Sequence, residues 1–555
     1  MSVRFCCNPL GRSFAGDLRC QTPSEGDQPF ASSPFAHLIP QSHRRACEGF
    51  VQRFPKNNRR RRSRWEILCI LICLMFQATG TWAAADGIKP IGQINEYLRL
   101  MGELYGSHET WNFFRPDPAT NNNNDYGLWA ARARLGALLT TPYIDGYAQA
   151  QYIGLYSLPD DAVASPGGPL GLGGAYFLAN QSTNASNVFL KQVYLDFKFS
   201  SLGLPGALLK IGRFEFMDGM EYTTGIGKFD GLKRARIAQR LLASNVVHVG
   251  RSFDGFTAVY DRPGFNVTAA GIRPTQGGFT VQGQKEIGDI NLFYAALTSK
   301  KDVLLPGTEG RLFYLNYEDK RNTQAVDNRP AAERPRLDNQ NLNLHTIGAH
   351  LLTLHPLGSG SIDALLWGAY QFGDWTNQGH QAWAIAAEAG YQWTALPFQP
   401  WLRALYFRSS GDDKANDGTH KTYFTALPSG RAYAKLPFYN LINMQDAFLQ
   451  MIVSPTPKTR VTIDLHHLSL SNSSDLFYSG LGPTSRSGAF GYSGRPSGGK
   501  SDVGQLVDIS FTHTLNKHLS WRFYYGHAFG GSVVRNFYQG KKDADMVYID
   551  FSLVF

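Results

Sequence analysis

Cysteine is missing from most of this chain. All six stand within the first 73 residues, as Cys6, Cys7, Cys20, Cys47, Cys69 and Cys73, so disulfides, thiolate metal sites and cysteine nucleophiles are excluded from everything beyond. Apolar runs are short as well. The unbroken run 67–76 is about half the ~20 residues that a membrane-spanning helix needs. A surplus of one charge also disappears once the front of the chain is set aside: twelve of the 54 Lys and Arg and five of the 44 Asp and Glu precede Asp86, leaving 42 against 39. Nucleic-acid binding needs a concentrated basic surface, and the dense cluster at 56–64 only flanks the apolar run, so no nucleic-acid partner is expected. Neither Gly-x-Ser-x-Gly nor His-Glu-x-x-His occurs. No nucleophile can be assembled with a base, so no enzyme, cofactor or metal site is implied.

What the front of the chain does have is an export signal. Arg59 to Arg62 and Arg64 precede the apolar run, and Ala83-Ala84-Ala85 follows it as a small-residue cleavage site. The expected organisation is therefore an unassigned extension over 1–58, a signal peptide over 59–85 and one domain over 86–555. The extension has no clear pattern, and a start assigned too early accounts for it.

The domain itself shows few helical periods and many two-residue ones. Its last strand alternates Val547, Ile549, Phe551, Leu553 and Phe555 with Tyr548, Asp550 and Ser552. Such an ending leaves a sticky edge in a soluble protein. It matches the signal by which outer-membrane barrels are handed to the insertion machinery, with Phe555 as the recognised end. Within 129–139, Trp129, Ala131, Ala133, Leu135, Ala137 and Leu139 share one face, and Arg132 and Arg134 share the other. Charge on the lipid face of a barrel costs ~2–4 kcal/mol at the midplane, so the arginine face must be a water-filled lumen. Over 189–199 the same logic sends Val193, Leu195, Phe197 and Phe199 to lipid. Further strands are expected at 98–104, 253–260, 265–272, 311–318, 362–372, 382–393, 401–408, 461–470, 507–514 and 520–527.

Connections alternate between tight turns (141–145, 261–264, 355–358) and long polar loops (157–187, 319–340, 409–434, 471–502). That is the pattern of short periplasmic turns and large extracellular loops. The fold class read from this is all-β, a transmembrane antiparallel barrel of about 16–18 strands in the outer-membrane lipid. Trp367, Trp375, Trp393 and Trp401 fall near strand ends, where they suit interfacial girdles. His466 and His467 are adjacent on a strand, so they point to opposite faces and one of them enters the lumen.

The most specific pattern runs from 209 to 260: Lys210-Ile211-Gly212-Arg213, then Asp218-Gly219, then the basic stretch from Leu232 to Leu241, then Arg251-Ser252-Phe253-Asp254-Gly255. Ser410-Gly411-Asp412-Asp413, Tyr423-Phe424-Thr425-Ala426-Leu427-Pro428 and the aromatic last strand follow in order. This succession resembles the alginate export family of outer-membrane barrels. The resemblance implies about eighteen strands and an arginine-rich lumen through which the family's named member moves a polyanionic polysaccharide outward. A departure is the long basic insert around Lys233 to Arg240, which is expected to narrow the lumen.

The function read from these features is passive, selective passage of an anionic solute or exopolysaccharide, or else uptake of small anions and sugar acids through a nutrient porin. The lumen cations are expected to be Arg132, Arg134, Arg213 and Arg251, with Lys210, Lys233, Arg234, Arg236 and Arg240 at a constriction. Glu215, Asp218 and Asp254 are expected to hold the arginines extended. For the export signal the expected outcome is an amino terminus within a few residues of Asp86, measured by mass spectrometry of purified protein; intact Met1 on the membrane-inserted form contradicts it.

Overall fold

The computed structural model describes residues 92–555 apart from short stretches at 117–122, 165–167, 239, 245–246, 322, 338–339, 432 and 486–489. The expected signal segment and the extension before it lie outside the described residues. Eighteen antiparallel strands follow one another around a closed barrel. They are β1 (Leu98–Asn112), β2 (Asp125–Thr140), β3 (Ile144–Tyr156), β4 (Ala185–Lys198), β5 (Ala207–Phe214) and β6 (Phe253–Asp261). Next come β7 (Phe265–Pro274), β8 (Ile290–Ser299), β9 (Thr308–Asp319), β10 (Leu342–Leu357), β11 (Gly360–Trp375) and β12 (Gln378–Trp393). The circuit ends with β13 (Trp401–Ser409), β14 (Met444–Thr456), β15 (Thr459–Leu470), β16 (Asp502–Thr514), β17 (Leu519–Gly530) and β18 (Asp543–Val554). The last strand closes on the first from Glu103↔Val554 to Asn112↔Asp545. Beyond it, Phe555 exchanges backbone hydrogen bonds with Gly102. Gly102 has no side chain because the Phe555 ring covers its Cα.

Alternation sets the faces as expected. In β11, Leu366 is 58% exposed while its neighbour Leu365 is 2% exposed. In β2, Trp129, Leu135 and Leu139 face outward. His466 is buried and paired with Asp446, whereas His467 is exposed. The β12 sequence places Ala382, Ala384 and Ala386 inward, all fully buried. Those small side chains leave room inside the barrel for a folded-in loop.

Two expectations change. Trp367, Trp375 and Trp401 point inward instead of joining an interfacial girdle. The indoles of Trp375 and Trp401 donate to the carboxylates of Asp327 and Asp363, and that of Trp367 stacks on Phe313. In β4, strict alternation back from Val193 would put Lys191 in lipid. The register slips instead: Gln149 pairs Gln192, Ala150 pairs Leu190, and the unpaired Lys191 turns into the barrel. Leu190 and Val193 both remain outward. The bulge thus spends one unpaired residue to keep a lysine out of hydrocarbon.

Because Leu366 lies near mid-strand on the lipid face, Leu366→Arg is expected to lower folding stability in vesicles by ~2–4 kcal/mol. Urea titration in lipid measures it, and a change near zero would place Leu366 away from hydrocarbon.

A lumen narrowed by two inward loops

The connection from β5 to β6, residues 215–252, does not stay outside. Its helix α1 (Gly227–Arg236) lies within the barrel and reaches side chains of β9, β11, β12 and β13. Lys228, at the start of α1, donates to Ser361 Oγ and Gln392 Oε1, at the end of the barrel that carries the short turns. Lys233 pairs with Glu309 at 2.8 Å, and Arg240 with Glu388 at 2.7 Å. Arg236 lies 3.7 Å from Glu388. Arg403 bridges Glu388 and Asp363 behind them. On the opposite side of α1, Gly227, Gly231, Arg234 and Ala235 are exposed, so this is the helix face turned to the open lumen.

The motif pieces that bracket this loop meet in space. Gly212 pairs with Gly255 and Arg213 with Asp254. The Arg213 guanidinium donates two 2.6 Å bonds to the Asp254 carboxylate. Both glycines are needed. Gly212 has φ 133° and Gly255 φ 151°, and a Cβ would fall 2.3 Å from Val193 O or 2.1 Å from Gly271 O. The signature therefore encodes the root of the inward loop.

A second inward stretch comes from the β13–β14 connection. Its Leu427 amide donates to Leu241 O and its carbonyl accepts from Ala243 N, each at 2.9 Å. Gly411 and Asp412 fix where this connection starts: a Cβ on Gly411 would collide with Asn443, and the Asp412 amide donates to Asp475.

Both stretches hang on Glu109 of β1, which is fully buried. His248 of the first lies 3.1 Å away and Arg431 of the second 2.9 Å away. Trp111 Nε1 donates to the same carboxylate. Tyr176, on helix α2 (Gly171–Asn180) of the β3–β4 connection, meets His248 Nδ1 at 2.7 Å.

Around the rest of the wall the expected residues come together largely as ion pairs. Arg132 pairs with Glu103 and donates to His248 O. Arg134 reaches Glu103 and Glu215, and Lys191 joins Glu215 at 3.5 Å. Lys210 pairs with Asp196 at 3.4 Å and stacks over Tyr194. Asp218 takes a different partner from those expected, accepting from Leu242 N and lying 3.9 Å from Arg311. Burial in the inward loop pushes its carboxyl up to about 7. Arg251 is also placed differently. It is fully buried among outer loops, donating to Thr275 O and Pro483 O, and desolvation pulls it down to about 10.

Sequence reading missed Glu103, Glu109, Lys191, Glu309, Asp363, Glu388 and Arg431, because each matters only through a partner remote in the chain. It also passed over Gly494 to Ser501, which spells G-x-x-x-x-G-K-S. That stretch runs from an outer hairpin straight into β16, with no helix N-terminus to cradle a phosphate. Among the described residues no cluster of three metal-ligating side chains occurs.

Glu109→Gln keeps the shape and removes the charge that holds His248 and Arg431. Breaking a buried pair costs ~3–5 kcal/mol, more than enough to free a loop while the hydrogen-bonded wall stays closed. Planar-bilayer recordings are expected to show a larger and noisier open level. A current indistinguishable from wild type would mean that the loops are held elsewhere.

Comparison with known proteins agrees with this architecture. No curated protein matches the chain. Among solved structures, Pseudomonas aeruginosa OccK9 (OpdG) is 10% identical with a TM-score of 0.50, covering 82% of this chain and 98% of its own. Pseudomonas aeruginosa OccK2 (OpdF), solved in complex with glucuronate, is also 10% identical with a TM-score of 0.50, covering 84% of this chain and 99% of its own. At that identity the likeness speaks for the fold. The profile of the alginate export family matches residues 160–548, well over half of the sequence and including both inward loops, and the chain belongs to that family of bacterial outer-membrane β-barrels.

Proposed function

We propose that this barrel lets an anionic saccharide or sugar acid cross the outer membrane passively, along a lumen whose cations are held in place by neighbouring carboxylates. One observation carries the reading: Arg132 and Arg134 stay partly open to the lumen while Glu103 and Glu215 hold them extended. Fixed cations lower the energy of a passing anion, and their acidic partners keep it from binding too tightly to leave. Arg213 with Asp254 and Lys210 with Asp196 repeat the arrangement. A glucuronate complex of a channel with the same fold supports a uronate-type cargo. The exposed face of α1, with Arg234 between small residues, would let such a solute slide past.

The uptake reading, for small sugar acids, gains support from the same loop. Lys233 and Arg240 are bolted to Glu309 and Glu388 by buried pairs, and a fixed constriction favours short cargo over polymer. In either case the protein performs no chemistry on what it passes.

Reversal potentials across a salt gradient test the selective role. Wild-type channels are expected to prefer anions, and the Arg132→Gln/Arg134→Gln double variant to shift toward cations because Glu103 loses both its partners and Glu215 keeps only Lys191. The shift should shrink as salt rises, since exposed charges are screened beyond ~8–10 Å at physiological ionic strength. An unchanged anion-to-cation ratio in a heat-modifiable, folded variant would remove these arginines from selection. Current block by glucuronate but not by oligouronates separates uptake from polymer passage.

A further inference from the structure

The turns at the end of the barrel opposite the long loops are not alike. Those on one arc carry large apolar side chains facing solvent: Leu202 and Leu204 between β4 and β5, Val303, Leu304 and Leu305 between β8 and β9, and Leu396 and Phe398 between β12 and β13. Leu202 is 72% exposed, Leu304 63% and Phe398 58%. The turns from β14 onward read Pro457-Lys458 between β14 and β15 and Asn516-Lys517-His518 between β16 and β17, while the β2–β3 turn also exposes Tyr143 and the β6–β7 turn carries Arg262. Large apolar side chains repeated at exposed turn tips mark an interaction site.

The turn between β8 and β9 shows what it faces. Leu304 Cδ1 and Leu351 Cδ2 lie 3.1 and 3.3 Å from where a side chain on Gly310 would begin. Leu351 belongs to the lipid-facing surface of β10 and is itself exposed. Leu304 therefore folds outward over the wall and extends the hydrocarbon band, instead of hanging beneath the lumen. Val303 in turn lies 3.9 Å from the Cβ position of Gly264, next to the outward Phe265. Of the two lysines that precede the tip, Lys300 is buried and turns away from lipid, pairing with Asp261 at 2.9 Å and lying over the Tyr222 ring. The polar charge within the tip, Asp302, is already taken up by Lys301 and the Gly307 amide.

We infer that the apolar turns at Leu202 to Leu204, Val303 to Leu305 and Leu396 to Phe398 dock into the periplasmic leaflet of the outer membrane, so that the barrel sits tilted with its β4–β13 side sunk. The occupant is lipid, because at the β8–β9 turn the apolar tip runs on into the lipid-facing wall. A second copy of the chain or a periplasmic protein would need the turns to project below the wall.

Absence of cysteine after residue 73 makes the test clean. Single variants Leu202→Cys, Leu304→Cys and Phe398→Cys, with Lys458→Cys and Lys517→Cys as controls, are spin-labelled and reconstituted in phosphatidylethanolamine and phosphatidylglycerol vesicles. Heat-modifiability on gels confirms that each is folded. Labels on the apolar turns should collide with lipid-soluble oxygen several-fold more, relative to a water-soluble nickel chelate, than the two controls. Equal ratios at all five positions overturn the inference. So does shielding of the apolar turns from both reagents, which would show protein covering them.

Discussion

A β-strand in hydrocarbon has no water to satisfy an unpaired amide or carbonyl, and this single requirement governs everything else in the molecule. It forces the sheet to close, and hence β18 to find β1. Closure in turn fixes the parity of every strand, because a residue that points outward must be tolerable to lipid. Where the sequence offers a charge at the wrong parity, as at Lys191, the ladder yields one residue to a bulge and keeps the rule. The lumen inherits whatever the lipid refuses. Its charges are then obliged to find one another.

That obligation shapes the constriction. Glu309, Asp363 and Glu388 on one wall meet Lys233, Arg236, Arg240 and Arg403, while Glu103 and Glu215 on the other meet Arg132, Arg134 and Lys191. Desolvation makes such pairs weak contributors to net stability, yet it makes the loss of either member expensive. The pairs act as fasteners. Between the two walls, Arg132 and Arg134 remain partly exposed, as does the small-residue face of α1.

How much of this was legible in the sequence follows from the range of each signal. Alternation is local, so the faces of β2, β11 and the last strand could be read directly, and a range of about 16–18 strands followed from the length of the domain. The lumen placement of Arg132 and Arg134 was legible for the same reason. Pairings were not. Glu109 and Arg431 lie 322 residues apart, and nothing near either one announces the other. The bulge at Lys191 escaped because it is a failure of the very period used to find strands. Arg251 misled because an arginine before a strand looks like lumen lining, whereas it is buried and bonded to the carbonyls of Thr275 and Pro483 in two other connections. In contrast, the Lys210 to Arg213 and Phe253 to Gly255 pieces could be recognised but not understood until their glycines were seen facing each other.

The position of Glu109 bears on how the molecule is assembled. It sits on the first strand, opposite Leu128 of β2 and Tyr548 of β18. A chain whose final strand has not yet arrived has its earliest and latest segments apart, and the carboxylate awaiting Arg431 and His248 is still on a free edge. Contacts of such long sequence separation form late, after the entropy of the intervening loops has been met. The Glu109 anchor of the inner loops is thus made late, whereas the pairs of Lys233 with Glu309 and Arg240 with Glu388 do not involve the seam.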